Sequence, residues 1–228
     1  MPPPCSFFDG AEDEELEATN AVFWDSLITH IREDVHVDPP ETLLDIGSHR
    51  GGLIARLASE WKLSRAWGIE PIATAREAAV RRVGRLVSES HMLDVTGWSS
   101  VPDAAADLVT CHEVLYLIPD LGAFMTDVSR VLSWDGRAYI VLGCHAENPV
   151  WNHWKPLLRA LGHQVHDHLP MDILAAGAAA GLVPSLRPLR QSGWITHDPR
   201  HATFTFPSAS AMLDHHFKHK LLFRFTRA

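Results

Sequence analysis

Leu43-Leu44-Asp45-Ile46-Gly47-Ser48-His49-Arg50-Gly51-Gly52 is an apolar run that ends in an acid and a glycine-bearing turn, and the helix-forming stretch Leu53 to Glu60 follows at once. That order reads as strand, loop, helix. Glycine removes the Cβ that keeps a ligand away from the backbone, and a helix start offers unpaired N–H groups to an anion. Further on, Trp67-Gly68-Ile69-Glu70 reads as a second short strand that also ends in an acid. In a doubly wound sheet an acid at that point reaches the ribose hydroxyls of a bound nucleoside. Together the two strand ends predict a nucleoside-cofactor site. The glycine spacing leaves the cofactor open, because Gly-x-Gly-x-x-Gly and acid-x-Gly-x-Gly-x-Gly would both put glycine at position 49, where the chain has His49.

Outward from this unit, residues 12–33 place Leu16, Phe23, Leu27, Ile28 and Ile31 near helical spacing, with acids at the start where the helix dipole favours them. An N-terminal helix packed on the domain or lidding the site is expected, closed by Asp38-Pro39-Pro40. Strands over 42–46, 65–70, 86–90, 106–112 and 136–143 alternate with helices over 51–60, 72–83 and 121–132. Such alternation implies a parallel sheet covered on both faces. After Gly143 the rhythm breaks, and 144–169 shows no simple period. A helix over 171–181, a strand over 182–189, a short helix over 209–217 and a strand over 219–226 complete the chain. The expected organisation is a helical lid segment, 1–40, and one domain, 41–228, with an insertion at about 144–170.

With 228 residues the chain has enough length for one full core. A net charge of −8 without a clustered basic face argues against nucleic acid as partner. No run approaches the ~20 apolar residues of a membrane span. The opening Met1-Pro2-Pro3-Pro4-Cys5 lacks a signal-peptide pattern, and Cys5, Cys111 and Cys144 fit neither a disulfide framework nor a zinc motif. His163, His166 and His168 share neither a helix face nor one side of a strand, so no metal site is expected. These features point to a cytoplasmic protein with a small-molecule partner, a homodimer being allowed.

In this order the elements resemble the class I S-adenosylmethionine-dependent methyltransferase family, small-molecule branch. The resemblance spans roughly residues 42–143. It is carried by Asp45-Ile46-Gly47 with Gly51, by Gly68-Ile69-Glu70-Pro71, by Asp94, by Asp107-Leu108-Val109-Thr110-Cys111-His112-Glu113-Val114-Leu115, and by 129–137, where Asp135-Gly136 stands in for the usual Gly-Gly turn. It implies a single-domain α/β, Rossmann-like fold: a seven-stranded, mostly parallel sheet, helices on both faces and the N-terminal helix as lid. It implies S-adenosyl-L-methionine as cofactor and S-adenosyl-L-homocysteine as product. Carried over by position, Asp45, Gly47, Ser48, His49 and Gly51 form the loop around the methionine tail, with Asp45 bracing it or receiving the ammonium through water. Glu70, beside Pro71, accepts both ribose hydroxyls, a task that suits an acceptor-only carboxylate. Asp94, beside Val95, takes the adenine amino group, and the backbone at Cys111 faces the ammonium. Asp94 as an Asx-turn residue is the alternative. His49 replaces the family's glycine.

Methyl transfer from a sulfonium demands alignment and exclusion of water rather than a nucleophilic triad. A base enters when the acceptor is a hydroxyl or a protonated amine, and His112, Glu113 and His145 are the candidates. Trp24, Tyr116, Trp151, Trp154 and Trp194 are the candidate acceptor pocket, since indoles suit apolar acceptors and cradle cationic amines. The expected activity is methyl transfer to an oxygen or nitrogen of a small metabolite, in a biosynthetic or tailoring pathway. A relict cofactor-binding or scaffold protein, motivated by His49, is the rival. A nicotinamide oxidoreductase is disfavoured by the glycine spacing and by the 107–115 pattern.

Overall fold

The computed structural model describes residues 11–35, 38–197 and 204–228, with side chains from residue 17 onward. Met1 to Cys5, and the side chain of Leu16, lie outside the described part. The elements are α1 (Ala11–Asp34), β1 (Thr42–Ile46), α2 (Gly52–Glu60), β2 (Arg65–Ile69), α3 (Ala73–Val83), β3 (Glu89–Leu93), β4 (Ala106–His112), α4 (Leu121–Val131), β5 (Leu132–Leu142), α5 (Trp151–Ala160), α6 (Pro170–Ala179), β6 (Leu182–Pro188), α7 (Ala209–Asp214) and β7 (Leu221–Arg227). The strands form one seven-stranded sheet in the order β3-β2-β1-β4-β5-β7-β6. Strand β7 runs antiparallel to both neighbours, and the other pairings are parallel. The α/β fold expected from the sequence is the fold observed.

Period-two alternation sorts the strand residues onto two faces. Leu43, Leu108, Tyr139, Val141 and Leu222 join Leu27, Ile31, Ile54 and Leu57 in one core. Leu44, Val109, Ile140 and Phe223 join Phe124, Val128, Trp151, Leu158 and Ile173 in the other. Helix α1 therefore contributes to a core as well as to the site. His30 Nε2 donates to the Leu189 carbonyl at 2.7 Å, and Asp34 Oδ2 accepts from Tyr139 Oη at 2.7 Å and from Arg224 at 2.9 Å.

Three local readings of the sequence shift. Strand β3 starts at Glu89 rather than 86, because Leu86 and Val87 donate their N–H groups back to the Val83 carbonyl and finish α3. Strand β5 starts at Leu132, directly after α4. Helix α5 occupies part of the stretch that showed no simple period. Its buried Trp151, Trp154 and Leu158 follow an i, i+3, i+7 stripe that Pro156 obscures.

At the amino end of the sheet, Asp107 ties three strands together. Its Oδ2 accepts from the N–H of Glu41 and Thr42 and from Thr42 Oγ1, and its Oδ1 accepts from Ser133 Oγ. Asp107→Ala strands those donors, and urea unfolding is expected to show a loss of about 2–3 kcal/mol. A loss under ~0.5 kcal/mol would show that solvent replaces the carboxylate at no cost.

Candidate active site

The strand order turns back between β1 and β4, since the chain runs outward through β1, β2 and β3 and then returns to β4 on the other side of β1. Ligands of open α/β sheets bind outside the carboxyl ends of the strands at such a switch point. Ile46 of β1 pairs there with Cys111 of β4, and with Ile69 of β2 on its other side.

The loop after β1 is fixed by its own amides. Gly47 and Ser48 both donate to the Ile69 carbonyl, at 2.8 and 3.1 Å, and Gly51 donates to the Ser48 carbonyl at 2.8 Å. Gly47, His49 and Gly51 are left-handed, with φ of 75°, 46° and 73°. A Cβ on Gly47 would sit 2.1 Å from Val114 Cγ2, and one on Gly51 would sit 2.7 Å from Val83 Cγ2. His49 keeps the turn and donates its backbone N–H to Glu70 Oε2 at 3.0 Å. Across the loop, α1 comes close to the start of α2. Trp24 Cη2 lies 2.8 Å from where a Cβ on Gly52 would be, and Glu17 bonds Arg82 of α3 at 2.8 Å.

Two buried carboxylates meet at these tips. Asp45 is 2% exposed, and its Oδ1 accepts from Thr110 Oγ1 at 2.7 Å. Desolvation pushes its carboxyl up to about 7, against the Thr110 hydrogen bond and with help from the nearby Glu70 charge. Glu70 is also buried. Its Oε1 accepts from the Ile72 N–H at 2.9 Å, so each oxygen holds one backbone donor and keeps a second lone pair. Burial raises its pKa, partly offset by those amides. Among the described residues neither acid has a salt-bridge partner, and the buried Ser48 Oγ has no hydrogen-bond partner. Beyond β3, Asp94 is exposed and its Oδ1 accepts from Thr96 N–H and Oγ1 in an Asx turn, with Val95 exposed beside it.

The tips of β4 and β5 form the other half. Glu113 follows β4 with a φ of 55°, and its Oε1 accepts from the Gly143 N–H at 2.6 Å and from Lys220 Nζ at 2.9 Å. His145 Nε2 donates to the His219 carbonyl at 2.8 Å, which leaves Nδ1 as the unprotonated nitrogen of a neutral ring. His145 Nδ1, Glu113 Oε2 and His112 Nε2 are buried without hydrogen-bond partners. Asn148 donates through Nδ2 to the Gly143 carbonyl and to His215 Nδ1. Burial lowers the pKa of His112, His145 and His215, and pushes His216 down to about 3 with help from Lys220. These rings are neutral at pH 7.

Of the candidate aromatic residues, Trp24 meets the His112 ring edge-on at 6.3 Å, and Trp154 meets His215 at 4.8 Å. Tyr116 and Trp151 pack on each other, with Trp151 Nε1 donating to Asp167. Trp194 stands apart from this group with its side chain in solvent, at 94% exposure. His166 and His168 stack with ring centroids 6.0 Å apart, His168 Nε2 donates to the Ile118 carbonyl, and no metal-binding group of three His, Cys, Asp or Glu residues occurs among the described residues. No helix among them is long and apolar enough to cross a membrane. Lys220, Asn148, His215 and His216 were not singled out from the sequence, because only folding brings the last strand of the chain beside β5. A groove of about 560 Å³ between α1 and α2 lies toward the far end of α2, and its charges are paired among themselves, Asp25 with Arg56 and Arg32 with Glu60.

This switch-point geometry, with the buried Glu70 just after β2, is that of the Rossmann-like class. Residues 44–140 match the family model described as a methyltransferase domain. Over this segment the chain carries a methyltransferase domain of S-adenosylmethionine-dependent enzymes, and S-adenosylmethionine is the cofactor. Among solved structures, it is similar to one titled as the complex of the Haloferax volcanii Trm112 methyltransferase activator with a putative methyltransferase, at 17% identity and TM-score 0.74, covering 96% of this chain and 95% of that one. It is similar to geranyl diphosphate C-methyltransferase from Streptomyces coelicolor A3(2), at 18% identity, TM-score 0.65 and coverage of 96% and 85%. A methyltransferase from Thermotoga maritima, titled as a possible histamine N-methyltransferase, aligns at 13% identity and TM-score 0.60, over 94% and 95%. At these identities the likeness is one of fold. No curated protein matches the chain.

The Asp45 carboxyl titrates near 7 in the folded protein and near 3.8 unfolded. The folded state thus holds an extra proton between those values, and stability from this group is present at low pH and lost as pH rises through about 7. The melting temperature of Asp45→Asn minus that of wild type, measured without cofactor, is expected to climb from pH 5 and level off above pH 7.5. A flat difference would show that Asp45 ionises at an ordinary value.

Proposed function

We propose that the enzyme methylates an oxygen or nitrogen of a small-molecule acceptor. The observation that carries this reading is the division of the site: buried acids without ion-pair partners at the tips of β1 and β2, and buried, unpartnered acceptor atoms on neutral groups and on Glu113 at the tips of β4 and β5. The first half suits a cationic nucleoside. Glu70 accepts the two ribose hydroxyls on its remaining lone pairs, Asp94 offers Oδ2 to the adenine amino group, and Asp45, with the backbone around Gly47, Ser48 and Cys111, receives the ammonium. When bound, S-adenosylmethionine supplies an electrophilic methyl group on a sulfonium.

The second half suits the acceptor. Burial keeps the imidazole of His145 neutral, and the His219 carbonyl fixes its proton on Nε2, so Nδ1 is free to take a proton from an attacking amine or hydroxyl. His112 offers Nε2 from the adjoining strand tip. Trp24, with Phe23, covers this side from α1, and Trp154 and Tyr116 wall it from the other face; the N-terminal half of α1 acts as lid.

Isothermal titration of cofactor tests the first half. Glu70→Gln is expected to weaken binding at least tenfold, because two charge-assisted hydrogen bonds become neutral ones. Affinity in wild type should fall as pH drops below about 7, where Asp45 takes up its proton, and should be flat in Asp45→Asn. Unchanged binding in Glu70→Gln would rule out the ribose role. For the second half, His145→Ala is expected to slow turnover of an accepted substrate ~10²-fold or more with cofactor affinity unchanged. Equal loss of both would assign His145 to structure.

A further inference from the structure

Lys220 is the one described lysine that is buried, at 5% exposure, and nothing in the family pattern assigns it a task. It lies just before β7, and its own amide donates to the His215 carbonyl at 2.7 Å, closing the one-turn π-helical segment His215–His219. Such a turn widens the helix at a place where function often resides. The ammonium reaches back to Glu113 Oε1 at 2.9 Å and lies 3.8 Å from the Phe23 ring centroid of α1. Glu113 thus has one oxygen tied twice, to Lys220 and to the Gly143 amide, and the other buried without a partner. Gly143 makes this possible: a Cβ there would lie 3.0 Å from Glu113 Oε1, 2.7 Å from His215 Cε1 and 3.1 Å from Lys220 Cδ.

The other ionisable groups facing Glu113 give Oε2 no strong donor. Cys144 and Cys111 are protonated, their thiols pushed up by burial and by nearby carboxylates; the Cys144 thiol is turned to the Glu113 carboxylate as a weak donor, and the buried Tyr116 phenol feels the Glu113 charge without a hydrogen bond to it. His145 turns Nδ1, an acceptor, to the interior. Holding a carboxylate in a left-handed backbone and pairing only one of its oxygens has a cost in folding that a ligand donor would offset.

We propose that Lys220 is a positioning residue for methyl transfer: it holds Oε1 of Glu113 so that Oε2 faces the transfer position and accepts an N–H or O–H of the acceptor. The acceptor class that follows is one bearing a hydrogen on its nucleophilic nitrogen or oxygen, rather than a carbon nucleophile. This rests on the cofactor lying at the strand tips as proposed above.

Sinefungin tests it without knowledge of the substrate, because it carries an ammonium in place of the methylsulfonium, while S-adenosylhomocysteine carries a bare thioether. Both are titrated calorimetrically into the full chain. Wild type is expected to favour sinefungin roughly ten- to hundredfold, the range of a charge-assisted hydrogen bond. Glu113→Gln should bring the two ligands within about threefold. Lys220→Arg should keep the preference, and Lys220→Met should reduce it at least fivefold. Simple charge repulsion predicts the opposite for Lys220→Met, since removing a cation would favour an ammonium ligand. A stronger sinefungin preference in that variant therefore overturns the positioning role. Equal affinities in folded wild type also overturn it while leaving the cofactor site standing. Failure of wild type to bind either ligand removes the site and this proposal together. Should Lys220→Met not fold, the contrast between Glu113→Gln and Lys220→Arg decides.

Discussion

The structure depends on keeping two carboxylates, Asp45 and Glu70, dry at adjacent strand tips with no ion-pair partner for either among the described residues, the nearby Arg76 guanidinium being bound to the Glu70 and Pro71 carbonyls. Folding alone gives no reason for this, because a buried unpaired acid opposes its own ionisation and raises the pKa of its neighbour. The arrangement becomes favourable when a ligand brings positive charge. Backbone donors prepare for that event: His49 and Ile72 each give one N–H to Glu70, and Thr110 gives its hydroxyl to Asp45. Those bonds fix where the oxygens point while leaving lone pairs in reserve, which is preorganisation at the expense of apo stability.

The β4 and β5 tips solve a different problem. Burial keeps the imidazoles of His112, His145 and His215 unprotonated near neutrality, with the Lys220 charge adding to it at His112 and His215. One lysine therefore serves two ends, since the charge that discourages protonation of the imidazoles also orders Glu113. Phe23 stacks on His216 at 5.1 Å and lies under the Lys220 ammonium, so the packing of α1 and the polarity of the β5 tip are linked.

The parallel core was legible because its signals are local. Apolar runs ending in acids marked β1 and β2, and helical spacing marked α1. Helix α5 was illegible because its stripe of three large residues is short and interrupted by Pro156. The start of β3 was misplaced because Leu86 and Val87 are apolar enough for a strand yet complete the turn after α3. The acids of the cofactor half could be found from motif order. Of the other half, His112, Glu113 and His145 could be found beside the ends of β4 and β5, but Lys220, His215 and Asn148 could not, because they acquire meaning only when β7 inserts antiparallel beside β5. Trp194 shows the converse, as composition drew attention to an indole that the fold leaves in water.

The loop after β1 shows what its glycines are for. Gly47 is left-handed and pressed by Val114, and Gly51 is left-handed and pressed by α3, so both are demanded by packing before any ligand is considered. Position 49 is left-handed too, but there the chain has histidine, a residue that enters this region more readily than branched ones do. Its backbone amide still reaches Glu70. The element a glycine would supply at 49 is thus conformational freedom the loop does not need, and the work of the position is done by an N–H every residue but proline carries. A departure from the glycine spacing at this point leaves the turn and the contact to Glu70 intact.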